Sequence, residues 1–280
     1  MLRTYTYVMR ILLTEGSGLT SRQVTGRLRA AGHDVGVLSS DPIFLARFTN
    51  AIEAWHRVPA FGTDPYLWLD AATAVYRDHR YDLLFPTQEQ VTVLAADAVG
   101  LREAGVTTVV PRFSSLAAVQ DKVAATATLE RLGLPQPAST IIADLETLAA
   151  WDRFPMFMKA PIGTATSGVQ LVTDPAGMAD LMASWDLDDA FALGGVVAQT
   201  PTDGPLAMVQ SVFDEGRLVA FHANLRAREG ARGGASHKRS VDRPDTRAHI
   251  EALGRDLGWH GALSADVIVG PDGPVFIDIN

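Results

Sequence analysis

The chain has 280 residues, 47% of them hydrophobic and 20% charged, which suits a folded protein of two or three packed lobes rather than a disordered or fibrous one. A net charge of −8 argues against a nucleic-acid-binding surface, and the absence of cysteine excludes disulfides, thiolate metal sites and cysteine nucleophiles. No apolar run nears the roughly 20 residues of a membrane span and no secretory signal opens the chain, so no membrane contact and a cytoplasmic location are expected.

Residues 8–13 read as a β-strand closed by Glu15-Gly16-Ser17-Gly18, followed by a helix through Val24, Leu28 and Ala31 that ends at Gly32. Residues 33–38 form the next strand, completing a parallel βαβ unit. The pattern repeats loosely, with helices over about 66–79 and 88–104 and strands over 82–85 and 107–110, each strand stopped by a proline. Residues 1–112 therefore read as an open, doubly wound parallel α/β domain. The Gly16-Ser17-Gly18 turn suits either a phosphate cradle at a helix N-terminus or a plain tight turn. It lacks the third glycine of the dinucleotide fingerprint, which weighs against NAD.

Ser114 or Ser115 is expected to cap a helix over 116–132, ended by Gly133 and Pro135. Strands follow over 140–142, 156–160, 168–172 and 195–199, with helices over 145–151 and 175–185. Beyond Gly204-Pro205 the alternation becomes antiparallel. Strands over 206–213 and 218–224 flank the hairpin signal Asp214-Glu215-Gly216. A helix over 244–257 leads to strands over 262–269 and 274–279, joined by Gly270-Pro271-Asp272-Gly273. Between the two hairpins, residues 226–243 carry Arg226, Arg228, Arg232, Lys238, Arg239 and Arg243, with His237 among them. This block reads as a basic loop, suited to a small anionic ligand or simply solvated.

Three features carry chemistry. Lys159 stands in the apolar run Met156-Phe157-Met158-Lys159, where its ammonium is costly to bury unless it meets an anion. The small-residue loop Gly163-Thr164-Ala165-Thr166-Ser167-Gly168 lets backbone N–H groups approach phosphate oxygens. Strand alternation places Asp278 and Asn280 on one face, with Ile277 and Ile279 on the other and Asp266 on the neighbouring strand. Two carboxylates and an amide oxygen suit a hard cation such as magnesium.

With Asp121-Lys122 opening a helix that ends in Gly133-Leu134-Pro135-Gln136-Pro137, and with the segment Val196-Val197-Ala198-Gln199-Thr200-Pro201-Thr202-Asp203-Gly204-Pro205, these features in this order resemble the ATP-grasp superfamily. The likeness is to its carbamoyl-phosphate-synthase-like and carboxylate–amine ligase members and runs from about Ser114 to Asn280. It implies a mixed α/β and α+β fold, with a pre-ATP-grasp domain over 1–112 and an ATP-grasp domain over 113–280 whose lid covers about 137–203. It implies ATP and magnesium, or manganese in its place, as cofactors.

By that resemblance Lys122 and Lys159 contact the nucleotide phosphates, and Gly163, Thr166, Ser167 and Gly168 belong to a mobile flap. Gln199, Thr200 and Thr202 line the hinge, with Thr200 C=O and Thr202 N–H reading adenine. Asp266, Asp278 and Asn280 hold the metal. Arg226 and Arg228 neutralise the transferring phosphoryl group, and Gly233, Gly234, Ser236 and His237 touch the substrate. The sequence departs from the pattern at Thr200, where a glutamate is usual, and at Asp266 and Asp278, which replace glutamates. The family usually continues past this point with Pro-Arg, so the likeness implies C-terminal truncation at Asn280.

The implied activity is ATP-dependent C–N ligation through an acyl phosphate, with small-molecule carboxylate and amine substrates. The alternatives are a carboxyphosphate- or carbamoyl-phosphate-forming enzyme of the biotin carboxylase type, and a nucleotide-binding protein with little turnover. A homodimer is left open.

Overall fold

The structure is a computed structural model that describes residues 7–163, 168–230 and 235–280. The chain divides into two compact units, Met1–Phe113 and Ser114–Asn280.

In the first unit, β1 (Arg10–Leu13), β2 (Asp34–Ser39), β3 (Ala54–Arg57) and β4 (Leu83–Phe85) form a parallel sheet in the order β3-β2-β1-β4. The strands are short aliphatic runs because both faces are covered. Leu12, Leu38 and Leu84 pack with Trp68 on one side, while Ile11, Leu13, Val35 and Val37 pack with Phe44 on the other. Helices α1 (Leu19–Ala30) and α2 (Pro65–Asp78) make the crossovers. Asp64 caps α2 by accepting from Tyr66 N and Leu67 N at 2.9 and 3.0 Å, with Pro65 at the first turn.

The single helix expected over 88–104 is two, α3 (Val91–Ala96) and α4 (Ala98–Glu103). The break falls at Asp97, whose carboxylate folds over Gly100 and occupies space that a Cβ there would need. The strand expected over 107–110 reduces to one bridge between Thr108 and Leu84. β3 was not anticipated, because Ala54-Trp55-His56-Arg57 at the sheet edge lacks the aliphatic run of its neighbours.

In the second unit the helix expected over 116–132 is also two, α5 (Phe113–Gln120) and α6 (Lys122–Arg131). Asp121 adopts extended backbone and caps α6 by accepting from Val123 N and Ala124 N, at 2.8 and 3.1 Å. A four-stranded antiparallel sheet follows in the order β5-β8-β6-β7, built from β5 (Ser139–Ile142), β6 (Met156–Lys159), β7 (Val169–Val172) and β8 (Val196–Gln199). Its helices are α7 (Leu145–Ala149), α8 (Pro175–Ser184) and α9 (Leu187–Ala192).

A larger antiparallel sheet has the order β11-β10-β9-β12-β13. Its strands are β9 (Leu206–Asp214), β10 (Arg217–Glu229), β11 (Ala235–Val241), β12 (Gly261–Gly270) and β13 (Gly273–Ile279). Residues 226–243 are therefore not a basic loop: β10 runs on to Glu229 and pairs with β11 as a hairpin. Every residue from Ser236 to Ser240 is exposed, so β11 has no buried face to give the alternation that marks a strand. Charged side chains on such an edge also discourage further pairing.

Helix α10 (Pro244–Asp256) buries Ile250 and Leu253 against this sheet, and its close approach depends on Gly254. A Cβ at that position would lie 2.1 Å from the ring of Phe213, itself 2% exposed. Gly254→Ala is expected to destabilise the chain by about 1–3 kcal/mol through overpacking. A urea midpoint unchanged from the native chain would show that the ring has room to yield.

Candidate active site

The site builds from the face of the smaller sheet that Lys159 shares. Met156 and Met158 point into that sheet's own core, so the pleat turns Phe157 and Lys159 to the opposite side. Across the ladder Lys159 pairs with Val197 and Phe157 with Gln199, which places Gln199 on the same side. Lys159 is 7% exposed, and its ammonium donates to Ile277 O at 2.6 Å. Lys122, at the start of α6 and 9% exposed, places its ammonium 3.7 Å from Asp278 Oδ1. The backbone N–H of Lys122 donates to Pro161 O at 2.9 Å, tying the start of α6 to the segment that follows β6.

The carboxylates come from the β12–β13 hairpin. Asp266 and Asp278 are direct partners, and Ala265 pairs with Ile279. Val267 then pairs with Phe276, so Ile277 is the extra residue of a β-bulge. The register of the ladder thus shifts at Ile277. The bulge lets Phe276 pack in the core at 1% exposure, turns Asp278 to the face of Asp266, and leaves the Ile277 carbonyl to accept from Lys159. Asn280 shares that face and donates from Nδ2 to Asp278 Oδ2 at 3.1 Å. Lys122, Lys159, Gln199 and Asp278 line one narrow cleft, floored by Phe276 and Leu129.

This crowding of charge sets the ionisation of the site. Burial pushes Lys159 down to about 8, opposed by Asp278 and then reinforced by Lys122. Burial, followed by repulsion from Asp278, pushes Asp266 up to about 6 against the pull of Lys238, Arg226 and Lys159. Both groups would be more comfortable with a ligand of opposite charge beside them. The donor set of Asp266, Asp278 and the free amide oxygen of Asn280 is all oxygen, which fits a hard divalent cation. Among the described residues no group of three or more His, Cys, Asp or Glu side chains assembles, so further ligands would have to be phosphate and water oxygens.

Arg226 and Lys238 stand directly opposite each other on β10 and β11. Like charges in that register repel unless an anion sits between or above them. Arg226 has Glu229 Oε2 at 3.7 Å, and Lys238 is exposed. Sequence reading counted Lys238 in the basic block without a role, and the folded chain makes it one of the charges that pull on Asp266. Arg228 pairs with His237, and both side chains are exposed. Ser236 Oγ donates to Arg228 O and Glu229 O, at 3.2 and 3.1 Å, closing the hairpin.

Gln199 Nε2 donates to Ser139 Oγ at 3.2 Å, and Thr200 N donates to Ala138 O at 2.9 Å. Among the described residues nothing hydrogen-bonds to Thr200 O or Thr202 N, which leaves both main-chain groups for a ligand edge. Gly168 has φ +74° and accepts at its carbonyl from Ala160 N at 2.8 Å; Gly163 lies just before the undescribed stretch. Thr166, Ser167, Gly233 and Gly234 lie outside the described residues.

In the first unit, the Gly16-Ser17-Gly18 turn is filled from within. The Glu15 carboxylate accepts from Ser17 N at 2.6 Å, from Gly18 N at 3.3 Å, and from the hydroxyls of Ser17 and Ser21. The donors that would hold a phosphate are already occupied, which decides between the two readings of this turn.

No protein-family model matches the sequence, and no curated protein matches it significantly. Solved structures do match in fold. The biotin carboxylase domain of the 2-oxoglutarate carboxylase of Hydrogenobacter thermophilus, solved with MgADP, ADP and bicarbonate, aligns with a TM-score of 0.71 at 15% identity. The biotin carboxylase of Campylobacter jejuni, in a β-γ-ATP complex, aligns at 0.74 and 18%, and the L-amino acid ligase of Bacillus licheniformis at 0.68 and 14%. Each alignment covers 98% of this chain but only 64%, 65% and 66%, respectively, of the other. The fold is therefore the ATP-grasp fold that these enzymes share. No helix among the described residues is long and apolar enough to cross a membrane.

Proposed function

We propose that the chain is an ATP-dependent ligase that activates a carboxylate as an acyl phosphate and passes the acyl group to an amine. The observation that carries this reading is the meeting of two buried lysines in one cleft with Asp278, which pairs across the hairpin with Asp266. Alone, such an array is costly to bury; with a polyphosphate and a divalent cation between its members, each charge gains a partner. Lys122 and Lys159 would hold phosphate oxygens, Gln199 and the Thr200 and Thr202 main chain would border the base, and Asp266, Asp278 and Asn280 would hold magnesium or manganese. The cation would neutralise charge on the nucleotide's phosphates. Arg226, with Arg228 and Lys238 on the same hairpin, would balance the charge spread over the transferring phosphoryl group. Gly163, Thr166, Ser167 and Gly168 are proposed as flap residues, and Gly233, Gly234, Ser236 and His237 as substrate contacts.

The chemistry balances with the substrates alone. A carboxylate oxygen attacks the γ-phosphorus and ADP leaves; the amine lone pair then attacks the acyl carbon, phosphate leaves, and the amine loses one proton. The second unit would be the ATP-grasp domain, with 137–203 as its lid, and the first a pre-ATP-grasp domain.

A second reading has support in the biotin carboxylases among the structural matches: the phosphorylated carboxylate would be bicarbonate. Phosphate release from ATP in the presence of magnesium tests both readings. Release that depends on an added organic carboxylate and amine supports the ligase, and dependence on bicarbonate alone supports the carboxyphosphate former. Nucleotide binding without release under either condition would overturn both.

A further inference from the structure

Helix α10 covers one face of the larger sheet, and strand register lays out the other in rows. Ser240, Asn224, Met208, Asp266 and Asp278 stand side by side across β11, β10, β9, β12 and β13. In the next row His222 pairs with Gln210 and Gln210 with Ser264, while Ser264 exchanges main-chain hydrogen bonds with Asn280. Residues paired in register share a face, so the proposed metal ligands continue directly into a polar surface over β9, β10 and β11. The pull of Lys238 and Arg226 on Asp266 crosses that same face. The cleft of Lys122, Lys159, Gln199 and Asp278 lies at the β13 end of these rows. In-line transfer puts the attacking group on the far side of the γ-phosphorus from ADP. With ATP in that cleft and its γ-phosphate at Asp266 and Asp278, whatever reacts must lie over β9, β10 and β11.

Four neutral side chains are bonded into a ladder there. Asn224 Oδ1 can only accept, so His222 donates to it from Nε2 at 3.0 Å and Ser240 from Oγ at 3.4 Å. Asn224 Nδ2 donates to Gln210 Oε1 at 3.1 Å. This order of donors leaves Nδ1 of a neutral His222 ring as an acceptor and Gln210 Nε2 as a donor, on adjacent strands in one row. Both side chains are exposed. Exposed side chains ordinarily keep their rotamer freedom, whereas these are held in one arrangement before a ligand arrives, which lowers the entropic cost of binding. A donor beside an acceptor matches a carboxamide, whose C=O and N–H offer the converse pair. A carboxylate has no hydrogen to give His222 Nδ1.

We propose that this ladder is the acceptor subsite and that the amine it takes is an α-amino carboxamide, as at the amino terminus of a peptide. The carboxamide lies on Gln210 and His222, and the amine points along the rows toward Asp266 and Asp278, where the acyl phosphate forms. Its nitrogen makes the new C–N bond as phosphate leaves the acyl carbon, and its proton passes to solvent. The proposal rests on the ligase reading and supplies the acceptor which that reading leaves open.

The test uses the full chain, isotopically labelled, with the His222 imidazole and the Gln210 and Asn224 carboxamide resonances as reporters. Magnesium and the β,γ-imido analogue of ATP are added first, and their binding is read by calorimetry. The probes are then glycinamide, glycine (which replaces the carboxamide with a carboxylate) and acetamide (which lacks the amine). Glycinamide is expected to shift the three reporters and to bind at least fivefold more tightly than either of the others. Gln210→Met, which removes the donor at an exposed position and keeps the length of the side chain, should weaken glycinamide binding at least threefold while resonances elsewhere stay in place. If the nucleotide analogue binds, the proposal alone is overturned by any of three results: glycinamide leaves the reporters unmoved, glycine or acetamide binds as tightly, or Gln210→Met binds glycinamide unchanged. Failure of the analogue to bind would overturn the ligase reading and this proposal with it.

Discussion

Lys159→Ala is expected to weaken ATP binding by about 1.5–3 kcal/mol, roughly 10- to 150-fold, and to leave adenosine binding nearly untouched. The side chain sits opposite Val197 on the cleft face of the smaller sheet, with its ammonium 2.6 Å from a single carbonyl. One neutral acceptor does not compensate a buried ammonium, so most of its interaction energy would be realised only with a phosphate present. Calorimetric titration with both ligands checks this, and equal losses for the two would remove Lys159 from the phosphate site. The same burial predicts a signature in the ligand-free protein. Lys159 titrates at about 8 when folded and near 10.5 when free. Between those values the unfolded chain binds more protons, so this group makes stability rise with pH from about 8 to 10.5. Below pH 8 both states are charged, and the full cost of burial is present. The isosteric Lys159→Met should lose that slope, read as the difference in urea midpoints between native and variant chains at pH 7.5 and 9.5.

Magnesium is expected to tighten ATP binding to the native chain, and Asp278→Asn to remove most of that gain, at least tenfold. Asp278 sits opposite Asp266, 3.7 Å from the Lys122 ammonium, and within hydrogen-bond reach of Asn280. The amide keeps the shape and removes one of the two charges a hard cation needs. A magnesium effect of equal size in the variant would place the cation elsewhere. The pair also predicts how ligand-free stability depends on pH. Asp266 is raised to about 6 from 3.8, so between these values the folded chain binds more protons than the unfolded one. Stability from this group therefore falls as pH rises from about 4 to 6, and its cost is fully present above 6. Asp266→Asn should abolish that fall. Asp278→Asn should reduce it, because repulsion from Asp278 is the second cause of the shift.

Some of this architecture is local enough to read from the chain. The run Met156-Phe157-Met158-Lys159 is a short apolar stretch that reads as a strand, and the pleat then sets the face of Lys159. Asp214-Glu215-Gly216 and the Gly270–Gly273 stretch mark hairpin turns because positive φ is needed there: Glu215, Gly216 and Gly273 adopt 47°, 82° and 124°. The helix over Pro244–Asp256 announces itself by a proline in its first turn and by apolar spacing. A parallel α/β segment followed by antiparallel strands was legible in the same way.

Pairing between strands was not. The strand Ala235–Val241 exists because β10 supplies its partner, and with every side chain from Ser236 to Ser240 in solvent no periodicity reveals it. Asp121 breaks a helix that local propensity would continue, because its carboxylate caps one segment while Lys122 N reaches Pro161. Glu15 reads as one more residue of a glycine turn until folding closes that turn around its carboxylate. The bulge at Ile277 depends on register between β12 and β13, and it alone sends Phe276 to the core and Asp278 to the cleft. The sequence by itself determined residue types, turn positions and the faces of isolated strands, since those follow from sterics over a few residues. Tertiary structure decided which charges meet, because burial and register put Lys159 against Ile277 O, 118 residues away, and Arg226 opposite Lys238 across a hairpin.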